Sequence, residues 1–317
     1  MKASDLLCKI LSEFGITKVF GVTGGSILHP LQSAHNTGLD VFYTHHEQAA
    51  SFAADAATRI TNQPQACFVT TGPAGTNAMT GVLTSWLDSI PQIIISGQAR
   101  LSDLTDKNSV RQIGTQHYDI INSIANITNA YTQLRDPDTF CEDILKTLYK
   151  SVSCRPGPVW IDIPLDLQWT DIKNFQYDIK QAKLFNYDSS KIVYESKDNS
   201  EVNSQISNAI YSLLNAKKPL VIIGAGCKQN KVGEELVKIF TKFSIPMAFT
   251  WGSVDLLDSE NDCNFGIIGI NGQRSSNMAA YISDVIVGFG THFSDQITGR
   301  DRRLFAPEAK KYTFDID

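Results

Sequence analysis

The sequence predicts an α/β fold made of two doubly wound parallel-sheet domains, the second incomplete. Three observations carry this. Short apolar or β-branched runs alternate with longer amphipathic or alanine-rich stretches, the alternation stops after Leu167 in a polar segment without periodicity, and a second alternating series follows. The length of 317 residues suits two domains, at ~100–200 residues each. A hydrophobic content of 42% with 19% charge excludes a disordered chain and supplies a core for both.

The first stretch, MKASDLLCKILSEFG, places Leu6, Leu7, Ile10, Leu11 and Phe14 at helical spacing with charges between them. A secretion signal would be apolar throughout. The strand runs of the first series are KVFGV (18–22), VFYT (41–44), ACFVTT (66–71), QIIIS (92–96) and PVWIDI (158–163), and runs this continuous fit a parallel sheet covered on both faces. Residues 1–170 form the first domain in this reading, and 171–199, ending in a Ser/Lys/Asp cluster, a linker. Residues 200–317 form the second domain, with a helix over about 202–216, PLVIIG (219–224), a helix to about Phe243, PMAFT (246–250), SDVIVGFG (283–290) and KYTFDID (311–317). The sequence stops on that strand without a helix after it to cover Tyr312 and Phe314. A second domain cut short, and a tendency to associate, are therefore expected.

Lys and Arg total 28 against 33 Asp and Glu, a net charge of −5. That balance excludes a global basic field, so neither nucleic acid nor an anionic membrane is expected as a partner. No stretch is long and apolar enough to span a bilayer. Cys8, Cys67, Cys141, Cys154, Cys227 and Cys263 are scattered, with no Cys-x-x-Cys pair. They suggest neither a disulfide framework nor a metal site, and a reducing cytoplasm is the expected location.

Four clusters fall at strand ends, where open α/β sheets build ligand crevices. In FGVTGGSI (20–27), Gly24 and Gly25 could take positive φ and let a ligand come close to the backbone, or could serve only a tight turn. In THHEQAASFAADAATR (44–59), Glu47 stands at the start of a helix with a small-residue face, and Thr44-x-x-Glu47 has the spacing of a capping box. His45 and His46 are adjacent, which does not suit a metal site. FVTTGPAGTNAMTGV (68–82) reads strand, Gly72-Pro73 turn, helix, with Thr76 or Asn77 as candidate caps, and lacks both the dinucleotide fingerprint and the phosphate loop. DSIPQIIISGQ (88–98) closes a helix at Asp88-Ser89 and leaves Gly97-Gln98 after a strand.

Together and in this order, the clusters resemble the thiamine diphosphate enzymes of the acetolactate synthase group. FGVTGGSI resembles that family's FG-x-PGG loop with Thr23 in place of proline, THHEQAASFAADA its HEQ-Ala-Ala helix, FVTTGPAGTN its TSGPG-x-TN turn with Ala74 for a glycine, and DSIPQIIISGQ its DS-x-P…GQ segment. RQIGTQHYDI (111–120) resembles RQ-x-G-x-QE-x-D with His117 for glutamate, and RPGPVWIDIPLDLQ (155–168) the end of the domain. KKPLVIIGAG (217–226), GIIGINGQRSSNMAA (266–280) and residues 290–317 resemble its central domain.

The resemblance implies that Glu47 is the catalytic carboxylate, hydrogen-bonded to a ring nitrogen of the cofactor's aminopyrimidine so that the thiazolium proton can leave. It implies that Gly24, Gly25, Gly72, Pro73 and Asn77 contact the cofactor and that Gln116 lines the substrate pocket. The implied cofactors are thiamine diphosphate and Mg²⁺. The family holds the metal and diphosphate through a Gly-Asp-Gly…Asn signature on a third domain, and no Gly-Asp-Gly occurs here. That half of the site is expected on a missing domain, in a second chain. Where some members hold FAD with Arg-Phe-Asp-Asp-Arg, this sequence has His292-Phe293-Ser294-Asp295-Gln296, and FAD is not predicted. Gly224-Ala225-Gly226 and the lone Arg274 are weak signals for a nucleotide or anion. The implied activity is decarboxylation of a 2-oxo acid, pyruvate first, with carboligation, by a homo-oligomer. The alternatives are simple decarboxylation, or a catalytically silent fragment or assembly subunit.

Overall fold

The computed structural model describes residues 1–104, 110–173, 175–177, 199–229 and 232–316. The chain divides into two compact units, Met1–Ile192 and Val193–Asp317. In the first unit, α1 (Ala3–Phe14) buries Leu6, Leu7, Ile10 and Leu11 on one face and ends at Gly15, whose φ of 108° needs glycine. Strand β1 (Lys18–Gly21), α2 (Leu28–Thr37), β2 (Asp40–Tyr43), α3 (Glu47–Thr61), β3 (Gln65–Val69), α4 (Pro73–Leu87) and β4 (Gln92–Gln98) follow. The unit continues with α5 (Ile120–Ile124), β5 (Ala130–Gln133), α6 (Phe140–Val152), β6 (Val159–Pro164) and α7 (Leu165–Gln168).

All six strands are parallel, in the order β2-β1-β3-β4-β6-β5. Three of the four inner strands, β3, β4 and β6, are buried at every residue, which is why they read as unbroken apolar runs. Sequence periodicity misses β5. Its AYTQ lies at the sheet edge, where one flank meets no neighbouring strand and apolar residues are not demanded. Helices cover both faces: α1, α2 and α6 enclose one core with Ile93, Ile95 and Ile161, while α3 and α4 enclose another with Val69, Ile94 and Trp160. The expected linker, 171–199, lies mostly outside the described residues. Its first part is joined to this unit: Ile172 is buried, and Phe175 and Tyr177 pack against the core.

The second unit contains α8 (Asn199–Leu214), β7 (Pro219–Ile223), α9 (Ala225–Gln229), α10 (Val232–Lys242), β8 (Met247–Phe249), β9 (Asn264–Ile267), α11 (Arg274–Ile282), β10 (Val285–Phe289), α12 (Asp295–Thr298) and β11 (Lys310–Phe314). Its five strands are also parallel, in the order β11-β10-β7-β8-β9. Strand β9 is another half-buried edge strand without a sequence signal. Tyr312 and Phe314 are not left bare, contrary to the sequence reading. The Tyr312 hydroxyl lies 2.7 Å from Ser212 Oγ on α8, and Phe314 stacks on Phe289 with ring centroids 5.3 Å apart. A helix that precedes the sheet in sequence does the covering. Asp317 lies outside the described residues.

Candidate functional site

In the first sheet the chain steps outward from β1 to β2 and then returns to place β3 on the other side of β1. The two connections that leave β1 and β3 therefore diverge at their carboxyl ends and open a crevice there. The turn after β1 carries Gly24 and Gly25, the turn after β3 carries Thr70 to Asn77, and Glu47 opens the helix that follows β2. Topology thus gathers six of the residues singled out from the sequence, Gly24, Gly25, Glu47, Gly72, Pro73 and Asn77, at one switch point.

Gly24 and Gly25 do not use positive φ, which corrects the first expectation for the pair. Gly24 is small because the turn presses on Thr70: a Cβ there would lie 2.5 Å from Thr70 Cβ. The Thr70 hydroxyl also accepts the Ser26 N–H at 3.2 Å. A Cβ on exposed Gly25 would meet nothing within 4 Å, so the chain itself does not require glycine there. Behind this turn, Gln168 Nε2 donates to Ser26 O at 2.6 Å, and Gly97 leaves room for that carbonyl. Sequence reasoning missed Gln168, whose partner is distant in the chain.

The capping box is not formed. Helix α3 begins at Glu47 itself, so Thr44 is too far out to be its cap, and His46 caps it by accepting the Gln48 N–H on Nδ1 at 3.1 Å. The Thr44 hydroxyl donates to His46 O instead. Freed from capping, Glu47 reaches α4, where Asn77 Nδ2 donates to its Oε2 at 2.9 Å. Its other oxygen, Oε1, takes no hydrogen bond among the described residues. Burial pushes the nearby Cys67 thiol up, and the Glu47 charge adds to that, so Cys67 is held as an inert thiol.

Helix α4 starts with Pro73 at its first position, where the missing N–H costs nothing. Neither Thr76 nor Asn77 caps it: Gly72 occupies the cap position, Thr76 Oγ1 donates to Pro73 O, and Asn77 is spent on Glu47. Gly72 has φ 68°, and a Cβ there would lie 2.6 Å from Gln116 O. Glycine is required at that contact. Gln116 is exposed and itself has φ 57°, an unfavourable conformation kept where its backbone packs on Gly72. The Thr71 hydroxyl bridges to Gln98 Oε1 at 2.8 Å, which ties the β3 turn to the end of β4. Asp162 on β6 is fully buried beside Gln98 and was not singled out from the sequence.

The second unit has a corresponding switch point between β7 and β10. Its glycines close it: a Cβ on Gly224 would lie 2.0 Å from Gly290 O, so Gly224 serves backbone packing. Arg274 is exposed at the first position of α11. Among the described residues, no group of three His, Cys, Asp or Glu side chains could hold a metal ion, and no helix is long and apolar enough to cross a membrane.

A doubly wound protein that leaves open backbone and an unspent carboxylate oxygen at one switch point has the construction of a cofactor-binding α/β protein. Residues 1–123 match the family described as thiamine pyrophosphate enzyme, N-terminal TPP binding domain, and residues 206–317 match the thiamine pyrophosphate enzyme central domain. The chain belongs to the thiamine pyrophosphate enzymes and carries those two domains. It is 30% identical over 318 residues to the probable acetolactate synthase large subunit of Methanocaldococcus jannaschii, covering 100% of this chain and 51% of the relative. It is 30% identical over 321 residues to the acetolactate synthase large subunit of Haemophilus influenzae, covering 100% and 53%. Against acetolactate synthase isozyme 3 large subunit of Escherichia coli the identity is 26%, again with 100% and 53% covered. The chain spans about half the length of the curated relatives it matches.

Proposed function

We propose that this chain provides the aminopyrimidine-binding half of a thiamine diphosphate-dependent 2-oxo acid decarboxylase and carboligase of the acetolactate synthase type, with pyruvate as donor. The observation that carries the reading is Glu47, fixed through Oε2 by Asn77 while Oε1 stays unspent beside open backbone. A carboxyl group held by one oxygen can share a proton through the other without rotating away. The residues fit the pyrimidine side of the cofactor. When bound, thiamine diphosphate supplies the nucleophilic carbon and electron sink that loss of carbon dioxide from a 2-oxo acid requires. Glu47 holds and moves the proton at a ring nitrogen, Asn77 orients Glu47, and Gly24, Gly25, Gly72 and Pro73 bring backbone against the ring. Gln116 lines the substrate side. Mg²⁺ and the diphosphate are assigned to a further, diphosphate-binding domain, which the test supplies in trans.

The test mixes this chain with one carrying a diphosphate-binding domain, adds pyruvate, thiamine diphosphate and Mg²⁺, and follows carbon dioxide release. Glu47→Gln keeps the shape of the side chain but cannot share a proton, and a loss of about 10²–10⁴ in rate is expected. A rate within a factor of a few of the parent overturns the role of Glu47. The alternative, an assembly subunit without catalysis, predicts that the mixed chains co-sediment and release no carbon dioxide.

A further inference from the structure

Asp162 is buried to 0% exposure and is not part of the chemistry derived above. Its carboxylate is met by donors alone among the described residues. Ser96 Oγ donates to Oδ1 at 2.5 Å, while Gln133 Nε2 and Gln98 Nε2 both donate to Oδ2, at 2.8 and 3.2 Å. The orientation of each amide then follows. A carboxylate oxygen can only accept, so both glutamines must turn their NH₂ groups toward it and their carbonyl oxygens away.

The two carbonyl oxygens serve different groups. That of Gln133 accepts Arg135 Nε and Nη2 at 2.9 and 2.6 Å, on the edge strand away from the switch point. That of Gln98 accepts the Thr71 hydroxyl at 2.8 Å and the Ala99 N–H at 2.9 Å. The same Gln98 NH₂ donates to Tyr118 O at 3.0 Å. Gln98 thereby grips both the residue before Gly72 and the loop that carries Gln116. Thr71 also reaches Gln116 O at 3.4 Å, across the contact that requires glycine at position 72.

We infer that Asp162 is a positioning residue: by fixing the orientation of the Gln98 amide, it holds the Gly72 turn and the Gln116 loop in register at the mouth of the site. What those loops hold rests on the cofactor reading above. The anchoring itself does not, and it is measured on the chain without cofactor. The reporters are the backbone amides of Ala99, Gly114 and His117, bonded to Gln98 Oε1, Asp103 O and Gly114 O.

Amide hydrogen exchange tests the inference with four variants. Asp162→Ala removes the acceptor and Gln98→Ala the grip, and each is expected to speed exchange at residues 99 and 112–120 about tenfold, the equivalent of one buried hydrogen bond. Asp162→Asn can turn its oxygen to the two glutamines and its NH₂ to Ser96, and should restore slow exchange. Gln133→Ala removes the other, shorter amide contact to the same carboxylate oxygen, on the side away from the loops, and should leave these amides within about twofold of the parent. A merely structural carboxylate would make the Gln98 and Gln133 variants alike. Equal acceleration in both, or none in Gln98→Ala, overturns the inference. Should Asp162→Ala fail to fold, the Gln98 and Gln133 pair still decides.

Discussion

Asn77, one turn into α4, donates its amide to Glu47, the first residue of α3, at 2.9 Å. Two helices that follow the strands on either side of β1 are thus joined by a polar contact at the mouth of the sheet. The contact consumes one carboxylate oxygen and leaves the other for a ligand. Asn77→Asp replaces a donor with a second acceptor carrying like charge, and the repulsion makes the folded variant take up a proton more readily than the unfolded chain. We expect a stability loss of about 1–2 kcal/mol at pH 7. The raised folded-state affinity for a proton means that the deficit is present at high pH and shrinks as pH falls toward 5. Urea unfolding of parent and variant at both pH values checks this, and a deficit independent of pH sinks it.

Gly25 and Gly72 separate ligand approach from folding. At Gly72, φ of 68° and a Cβ 2.6 Å from Gln116 O make Gly72→Ala costly, by about 2–3 kcal/mol. At Gly25 neither obstacle exists, and Gly25→Ala should stay within about 0.5 kcal/mol of the parent. If cofactor backbone contacts are made there, the same Gly25→Ala chain should nevertheless lose carbon dioxide release in the mixed assay. Equal stability of the two variants would refute the packing argument for Gly72.

Much of this was legible in the sequence, for reasons that differ by element. The inner strands Gln65–Val69, Gln92–Gln98 and Val159–Pro164 are covered on both faces, so apolar runs mark them. Ala130–Gln133 and Asn264–Ile267 sit at sheet edges and carry no such mark. Glu47 was legible through its motif, whereas spacing alone pointed to a capping box that the helix start at Glu47 excludes. Asp162 and Gln168 were invisible as site residues: a polar residue in or after a strand gives no local sign of its partner, and Ser96 and Ser26 lie 66 and 142 positions away.

Asp162 also sets a pH dependence. Burial raises its pKa from 3.8 to about 6, against the opposing bonds from Gln133, Ser96 and Gln98 and with a smaller push from Asp119. Between about pH 4 and 6 the folded chain therefore holds a proton that the unfolded chain releases, so this group's contribution to stability falls as pH rises through that window. The size is about 3 kcal/mol at most. Asp162→Asn cannot titrate, so its stability relative to the parent should increase from pH 4 to pH 7. Thermal unfolding of both chains across that range is the measurement, and a constant difference would contradict the buried-charge account.

The last expectation concerns association. Phe52 on α3 and Leu83, Trp86 and Leu87 on α4 are all exposed, the last to 61%, on helices that touch where Gly81 meets Ser51. The two helices are pinned by polar contacts: Arg59 Nη2 binds Asp88 at 2.7 Å and Ser85 donates to Asp55 at 2.7 Å, while Arg59 Nε holds Asp55 within α3 at 2.6 Å. A rigid helix pair bearing several solvated apolar side chains gains free energy by burying them against another copy. Trp86→Asp places a charge in that surface without touching the Arg59 cluster, so it should shift sedimentation toward monomer while the unfolding midpoint of the monomer stays unchanged. Sedimentation of the parent as a monomer at tens of micromolar would show instead that these side chains remain in water.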